Sequence, residues 1–181
     1  MEQKLYNYEI ILYLLKGEKH LRQIAKDLKT NHMTIKRISD KLVEENVLDI
    51  KKEGRNNIFS IKKTGEAYNA VLMAEIYARN KLLKKHPELK QDIKMLKKMK
   101  ANMIVIFGSY AKGSETKTSD IDVYIATKNN KLKEEVKKIN SRFAVKTGEY
   151  NKKNLLIKEI EKNHIIIRGI EAFYEKNQFF D

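Results

Sequence analysis

The chain has 181 residues, enough for one domain or two small ones, and its 38 Lys/Arg against 24 Asp/Glu give a net charge of +14. The absence of cysteine excludes disulfides and thiolate metal sites, and no apolar run approaches membrane-spanning length, so a soluble cytoplasmic protein with no membrane partner is expected. The basicity suits a polyanionic partner such as nucleic acid, or solubility alone, and it is spread evenly along the chain.

Leu5, Tyr8, Ile11, Leu12 and Leu15 recur at helical spacing, and Gly17 closes that helix. Leu21, Ile24, Ala25 and Leu28 repeat the pattern, residues 29–32 break it, and a further helix carries Ile35, Ile38, Leu42 and Val43 on its inner face. Two such helices make a helix-turn-helix. Asn31 is placed to cap the second, which leaves Thr34, Lys36 and Arg37 outward as candidate contacts to double-stranded DNA. Residues 48–50 and 59–61 then alternate like two strands around the polar stretch 53–57. That is a wing, whose tip offers Arg55, Asn56 and Asn57 to phosphates or a minor groove. Winged helices also serve as protein or RNA modules.

A long helix is expected from Thr64 to about Lys85, buried within the chain or paired with a second copy as a homodimer. The single proline, Pro87, marks a break, which sets the expected domains at 1–63, 64–87 and 88–181. Beyond it, Leu89, Ile93 and Leu96 mark a helix, 103–107 a buried strand, 120–126 a second strand and 132–139 a helix. Residues 142–146 suit a third strand, Leu155, Leu156 and Ile160 a helix, and 165–167 a short strand before a tail at 170–174. The expected class is therefore α+β: a winged helix-turn-helix, a connecting long helix, and a mixed β-sheet with helices.

The chemistry is concentrated in residues 107–125. A Gly108-Ser109 turn directly after an apolar strand can present backbone N–H groups to an anion, which suits a triphosphate. Asp120 and Asp122 lie two residues apart on an extended segment, so both carboxylates emerge on one face. Mg²⁺ or Mn²⁺ takes such oxygen ligands together with substrate phosphates. His20, His32, His86 and His164 share no metal-ligand spacing.

With Gly108-Ser109, Ala111, Gly113 and Ser119-Asp120-Ile121-Asp122, the chain resembles the nucleotidyltransferase superfamily related to DNA polymerase beta, in its minimal branch. The resemblance spans most of residues 90–174. It implies an NTP as substrate or ligand, held by Gly108, Ser109 and Ser119, with Asp120 and Asp122 as catalytic and metal-binding acids using Mg²⁺ or Mn²⁺. The reaction implied is transfer of a nucleoside monophosphate to a hydroxyl of a protein, an RNA or a small molecule. Residues 5–63 resemble winged-helix regulators found fused to archaeal nucleotidyltransferases. Related proteins act as antitoxins beside a HEPN-type toxin, which the resemblance brings in as a partner.

Active members carry a third carboxylate on the strand after the Asp pair. Residues 142–146 contain neither Asp nor Glu, and Glu149, just beyond, is the substitute at hand. Two readings therefore stand: a nucleotidyltransferase coupled to DNA binding, or a DNA-binding transcriptional regulator or antitoxin whose second domain has become a nucleotide sensor or interaction module.

Overall fold

A computed structural model describes residues 5–54 and 56–181. The chain divides into two compact units, one running up to Tyr77 and including Phe180 and Asp181, the other Ala78–Phe179. The first contains α1 (Tyr6–Leu14), β1 (Lys19–His20), α2 (Leu21–Asp27), α3 (His32–Glu44), β2 (Leu48–Glu53) and β3 (Asn56–Ile61). Its antiparallel sheet has the order β1-β3-β2. Three helices followed by a hairpin, with a short strand completing the sheet, form a winged helix.

Asn31 caps α3 by accepting the Met33 N–H on its side-chain oxygen at 2.7 Å, satisfying one of the orphan donors of the first turn. α3 then buries Ile35, Ser39 and Leu42. In α1 the buried face is Ile10, Ile11 and Leu14 with Glu9, whereas Leu5 is exposed and Leu12 and Leu15 are only half-buried. That helix is apolar on most sides, so spacing alone selects the wrong stripe. β1 is too short for any periodicity to announce it.

The wing differs from its sequence reading at the tip. Glu53 of β2 pairs directly with Asn56 of β3, so Asn56 and Asn57 are the first residues of a strand and not loop residues. Arg55 lies outside the described residues. The helix α4 (Gly65–Lys85) follows, and the division between the two units falls inside it, where the sequence suggests a separate connecting segment 64–87. On the first unit's side, the Tyr77 hydroxyl donates to buried Glu9 at 2.7 Å.

The second unit continues through a 3-10 turn (Pro87–Leu89), α5 (Lys90–Lys98), β4 (Ile104–Phe107), α6 (Gly108–Lys112), β5 (Ile121–Ala126), α7 (Asn130–Ile139), β6 (Phe143–Gly148), α8 (Leu155–Lys162), β7 (Ile165–Arg168) and α9 (Ile170–Asn177). The tail at 170–174 is thus the body of a helix. The sheet order is β6-β5-β4-β7, with β4 antiparallel to both neighbours and β5 parallel to β6.

Ile104, Ile106, Ile121, Val123, Ile125, Phe143 and Val145 pack on one face with Ile93 and Leu96 of α5 and Leu132 and Val136 of α7. Residues of the opposite parity, Val105, Phe107 and Tyr124, are buried too, and α8 packs on β4. A strand covered on both faces reads as a continuous apolar run, which is what 104–107 shows.

The loop between α6 and β5 is anchored by Glu115, whose side chain is only 3% exposed and meets Lys85 and, at 2.7 Å, His86 Nε2. Burial pushes its pKa up, but hydrogen bonds from Lys85, His86 and its own backbone N–H outweigh that and hold it at about 2. A carboxyl depressed in the fold contributes stability above its unfolded pKa and loses that contribution as pH falls toward the folded value. Glu115→Gln is therefore expected to lower the Tm at pH 7, with the difference from wild type shrinking between about pH 5 and pH 2, as thermal unfolding across that range will show.

Candidate active site

The antiparallel register of β4 and β5 places Asp122 opposite Phe107, the residue immediately before Gly108. The turn and the acid are consequently in contact. A Cβ built on Gly108 would lie 2.1 Å from Asp122 Oδ2, and Gly108 has a φ of +67°, a left-handed value that side-chain-bearing residues seldom adopt. Glycine is required here on two counts, the backbone conformation and the space that the carboxylate occupies.

Asp122 is half-buried on β5, with Ile121 and Val123 turned into the core on the other face. Asp120 is exposed and precedes β5 by one residue, so it belongs to the loop and not to the strand expected over 120–126. Between Gly113 and Asp120 the loop is held by the Ser119 hydroxyl, which accepts the Thr116 N–H at 2.9 Å and meets the Thr116 hydroxyl at 3.0 Å. Ser119 thus shapes the loop through its side chain. Ser109 is half-buried in the first turn of α6.

The Asp122 carboxyl is pushed up by burial first, then by the negative charges of Asp120 and Glu159, with Lys146 and Lys112 pulling the other way. Two of these neighbours escaped the sequence reading. Glu159 is on α8, where its Oε1 pairs with Lys112 Nζ at 2.9 Å. Lys146 is on β6 opposite Tyr124, one pleat beyond Ala144, the partner of Asp122. The face of β6 beside Asp122 therefore carries Ala144 and Lys146 and no acid. Glu149 is exposed and paired with Lys128 at 2.8 Å. The sequence signal for Glu159 is faint: it stands one residue before buried Ile160 in a helix otherwise read for its apolar positions.

Among the described residues no three His, Cys, Asp or Glu side chains are grouped to hold a metal ion by themselves. What Asp120 and Asp122 offer is a pair of hard oxygen donors, with a half-buried carboxyl raised by a like charge. Such a pair suits a divalent cation that draws its remaining ligands from phosphates and water.

In the winged helix, Lys36 and Arg37 are exposed on α3 and Thr34 is half-buried. Lys36 is held by Asp40 at 2.6 Å, which leaves Arg37 the less encumbered cation of the two. Asn56 and Asn57 are on β3, away from the Asp pair in sequence and in a different compact unit.

Residues 90–172 match the family Polymerase beta, Nucleotidyltransferase. A segment of 62 residues is 40% identical to the "Putative protein adenylyltransferase MJ0141" of Methanocaldococcus jannaschii, covering 33% of this chain and 63% of that one. Less than two thirds of that relative's length is therefore represented. Among solved structures, the complex structure of hsRosR-S1 aligns over 52% of this chain and 88% of its own at 16% identity and a TM-score of 0.38. The adhesin competence repressor AdcR of Streptococcus pyogenes aligns over 52% and 78% at 19% identity and a TM-score of 0.36.

Two outcomes follow from the packing of the acid on the turn. Asp122→Asn removes a charge that burial and two like charges disfavour, so it is expected to raise the Tm by about 1–3 °C at pH 7. Gly108→Ala imposes about 1–2 kcal/mol for left-handed backbone and drives a methyl into Asp122, so it is expected to lower the Tm. Calorimetry of both variants checks the opposite signs.

Proposed function

We propose, from the match of residues 90–172 to the polymerase beta nucleotidyltransferases, that this chain transfers a nucleoside monophosphate from an NTP to an acceptor hydroxyl. The observation that carries this reading is the contact of Asp122 with Gly108, which packs one acid of the pair directly against the phosphate turn. Gly108 and Ser109 hold the triphosphate through backbone N–H groups, with Ser119 shaping the loop behind it. Asp120 and Asp122 hold Mg²⁺ or Mn²⁺. When bound, the cation supplies Lewis acidity at the α-phosphate and neutralises charge on the departing phosphates.

Around that pair, Lys112 and Lys146 supply positive charge for the outer phosphates. The acceptor oxygen forms a bond to the α-phosphorus as the bond from that phosphorus to the bridging oxygen breaks. Pyrophosphate leaves with the electron pair. The acceptor's proton passes to a carboxylate, for which Glu159 is suited as the acid beyond the pair whose charge reaches Asp122. Similarity to a chain named as a protein adenylyltransferase favours ATP as donor and a protein hydroxyl as acceptor.

The winged helix is read as the DNA-binding part, with Arg37 as its leading contact and Thr34, Lys36, Asn56 and Asn57 beside it. A second reading is favoured by one observation, the lysine on β6 where an acid is expected: a DNA-binding regulator that binds nucleotide without transferring it.

Incubation with Mg²⁺, α-labelled ATP and candidate protein and RNA acceptors tests the first reading. Label transfer is expected, falling at least about 100-fold in Asp122→Asn if the acid stabilises the transition state. Nucleotide binding without transfer to any acceptor from any NTP would leave the regulator. For the DNA-binding part, Arg37→Ala is expected to weaken duplex binding and to reduce the slope of log affinity against log salt by about 1. Fluorescence anisotropy across a salt series reads both quantities.

A further inference from the structure

Asp120 presents a difficulty for any reading that gives it a ligand role. It is exposed, it precedes β5, and its loop has no sheet pairing of its own. Metal geometry tolerates little play, so something must fix that residue. The peptide units on either side of Asp120 are both held by one residue, Arg142, just before β6. Its guanidinium Nη2 donates to the Ser119 carbonyl at 2.8 Å, on the amino-terminal side. Its own carbonyl accepts the Ile121 N–H at 2.9 Å, on the carboxy-terminal side.

The same Nη2 also donates to the Tyr110 hydroxyl, and the guanidinium carbon stands 5.9 Å from the Tyr110 ring centre. Tyr110 is buried in α6, two residues after Gly108. A single side chain thus ties the helix that carries the phosphate turn to the loop that carries the first acid. Arg142 is itself seated by its backbone N–H, which donates to Asn140 Oδ1 at 2.9 Å, while Asn140 donates to Asp92 of α5 at 2.6 Å. The link therefore ends in the helical layer and not in a mobile contact.

We infer that Arg142 is a positioning residue that fixes Asp120 relative to the Gly108-Ser109 turn, so that cation and triphosphate are bound together. The inference rests on the nucleotide-binding reading of the site. Arg142 touches neither the cation nor the nucleotide; it acts through Ser119 and Tyr110. The two hydrogens of one Nη2, fixed in the plane of the guanidinium, meet both acceptors in set directions, and lysine reproduces the charge but not that planar geometry.

The test uses the full chain with Mn²⁺ and a non-hydrolysable ATP analogue, followed by calorimetric titration, alongside amide hydrogen exchange of residues 109–122 in the metal-free protein. Arg142→Gln is expected to weaken Mn²⁺-dependent nucleotide binding about tenfold or more and to speed exchange across the loop. Arg142→Lys is expected to recover part of the affinity. Tyr110→Phe leaves the Ser119 link in place and is expected to cost about threefold, and the double variant is expected to be no worse than Arg142→Gln alone, since both act through one link.

Binding by Arg142→Gln within twofold of wild type overturns the inference and leaves the nucleotide reading intact. A loss in Arg142→Gln matched by an equal loss in Arg142→Lys and explained by the unfolded fraction at the assay temperature also overturns it. If wild type itself binds no nucleotide with Mn²⁺, the nucleotide reading fails and the inference falls with it.

Discussion

The second unit depends on the register between two antiparallel strands. With Phe107 paired to Asp122, the last residue of β4 delivers the chain into the turn at the point where β5 turns a carboxylate out of the sheet. A slip of one residue would turn Asp122 into the core and Ile121 or Val123 out to solvent. The register is secured because the opposite face of both strands is buried against α5 and α7. The hydrophobic pattern that folds the sheet is thus the same constraint that holds the acid against Gly108.

That arrangement has an electrostatic cost. Asp122 sits half-buried, and its carboxyl is raised first by burial and then by the like charges of Asp120 and Glu159, with Lys146 and Lys112 acting against them. Glu115 shows the contrary case in the same loop. It too is withdrawn from water, but Lys85 and His86 meet it, and its carboxyl is strongly depressed. One acid is paired through its Oε1 with two cationic side chains and anchors the loop; the other has both like and opposite charges around it.

Much of the fold was legible because its elements are long enough to show a period. The helix capped by Asn31, the buried strand at 104–107 and the alternation of 121–126 each declare themselves through local pattern. Where pattern was short or uniform it misled. β1 is two residues long, α1 is apolar nearly all round, and the wing tip tightened because Glu53 pairs with Asn56, which only strand register decides. At the candidate site, Gly108, Ser109, Asp120 and Asp122 stand within one stretch of sequence, so a local reading finds them. Glu159, Lys146 and Arg142 come from α8, β6 and the approach to β6, and no spacing rule joins such distant residues.

The face that β6 turns beside Asp122 bears on the charge of that acid. A parallel neighbour strand is a rigid place from which to add an acid beside Asp122, and here that face carries Ala144 and Lys146. An acid at 144 would have added a third like charge to a carboxyl already raised by two. Lys146 instead acts to lower the Asp122 carboxyl. Glu159 stands on a helix and is paired with Lys112, which offsets part of its charge. Lys146 on β6 and Glu159 on α8 thus act on the Asp122 carboxyl with opposite sign, from two elements that meet only in the fold.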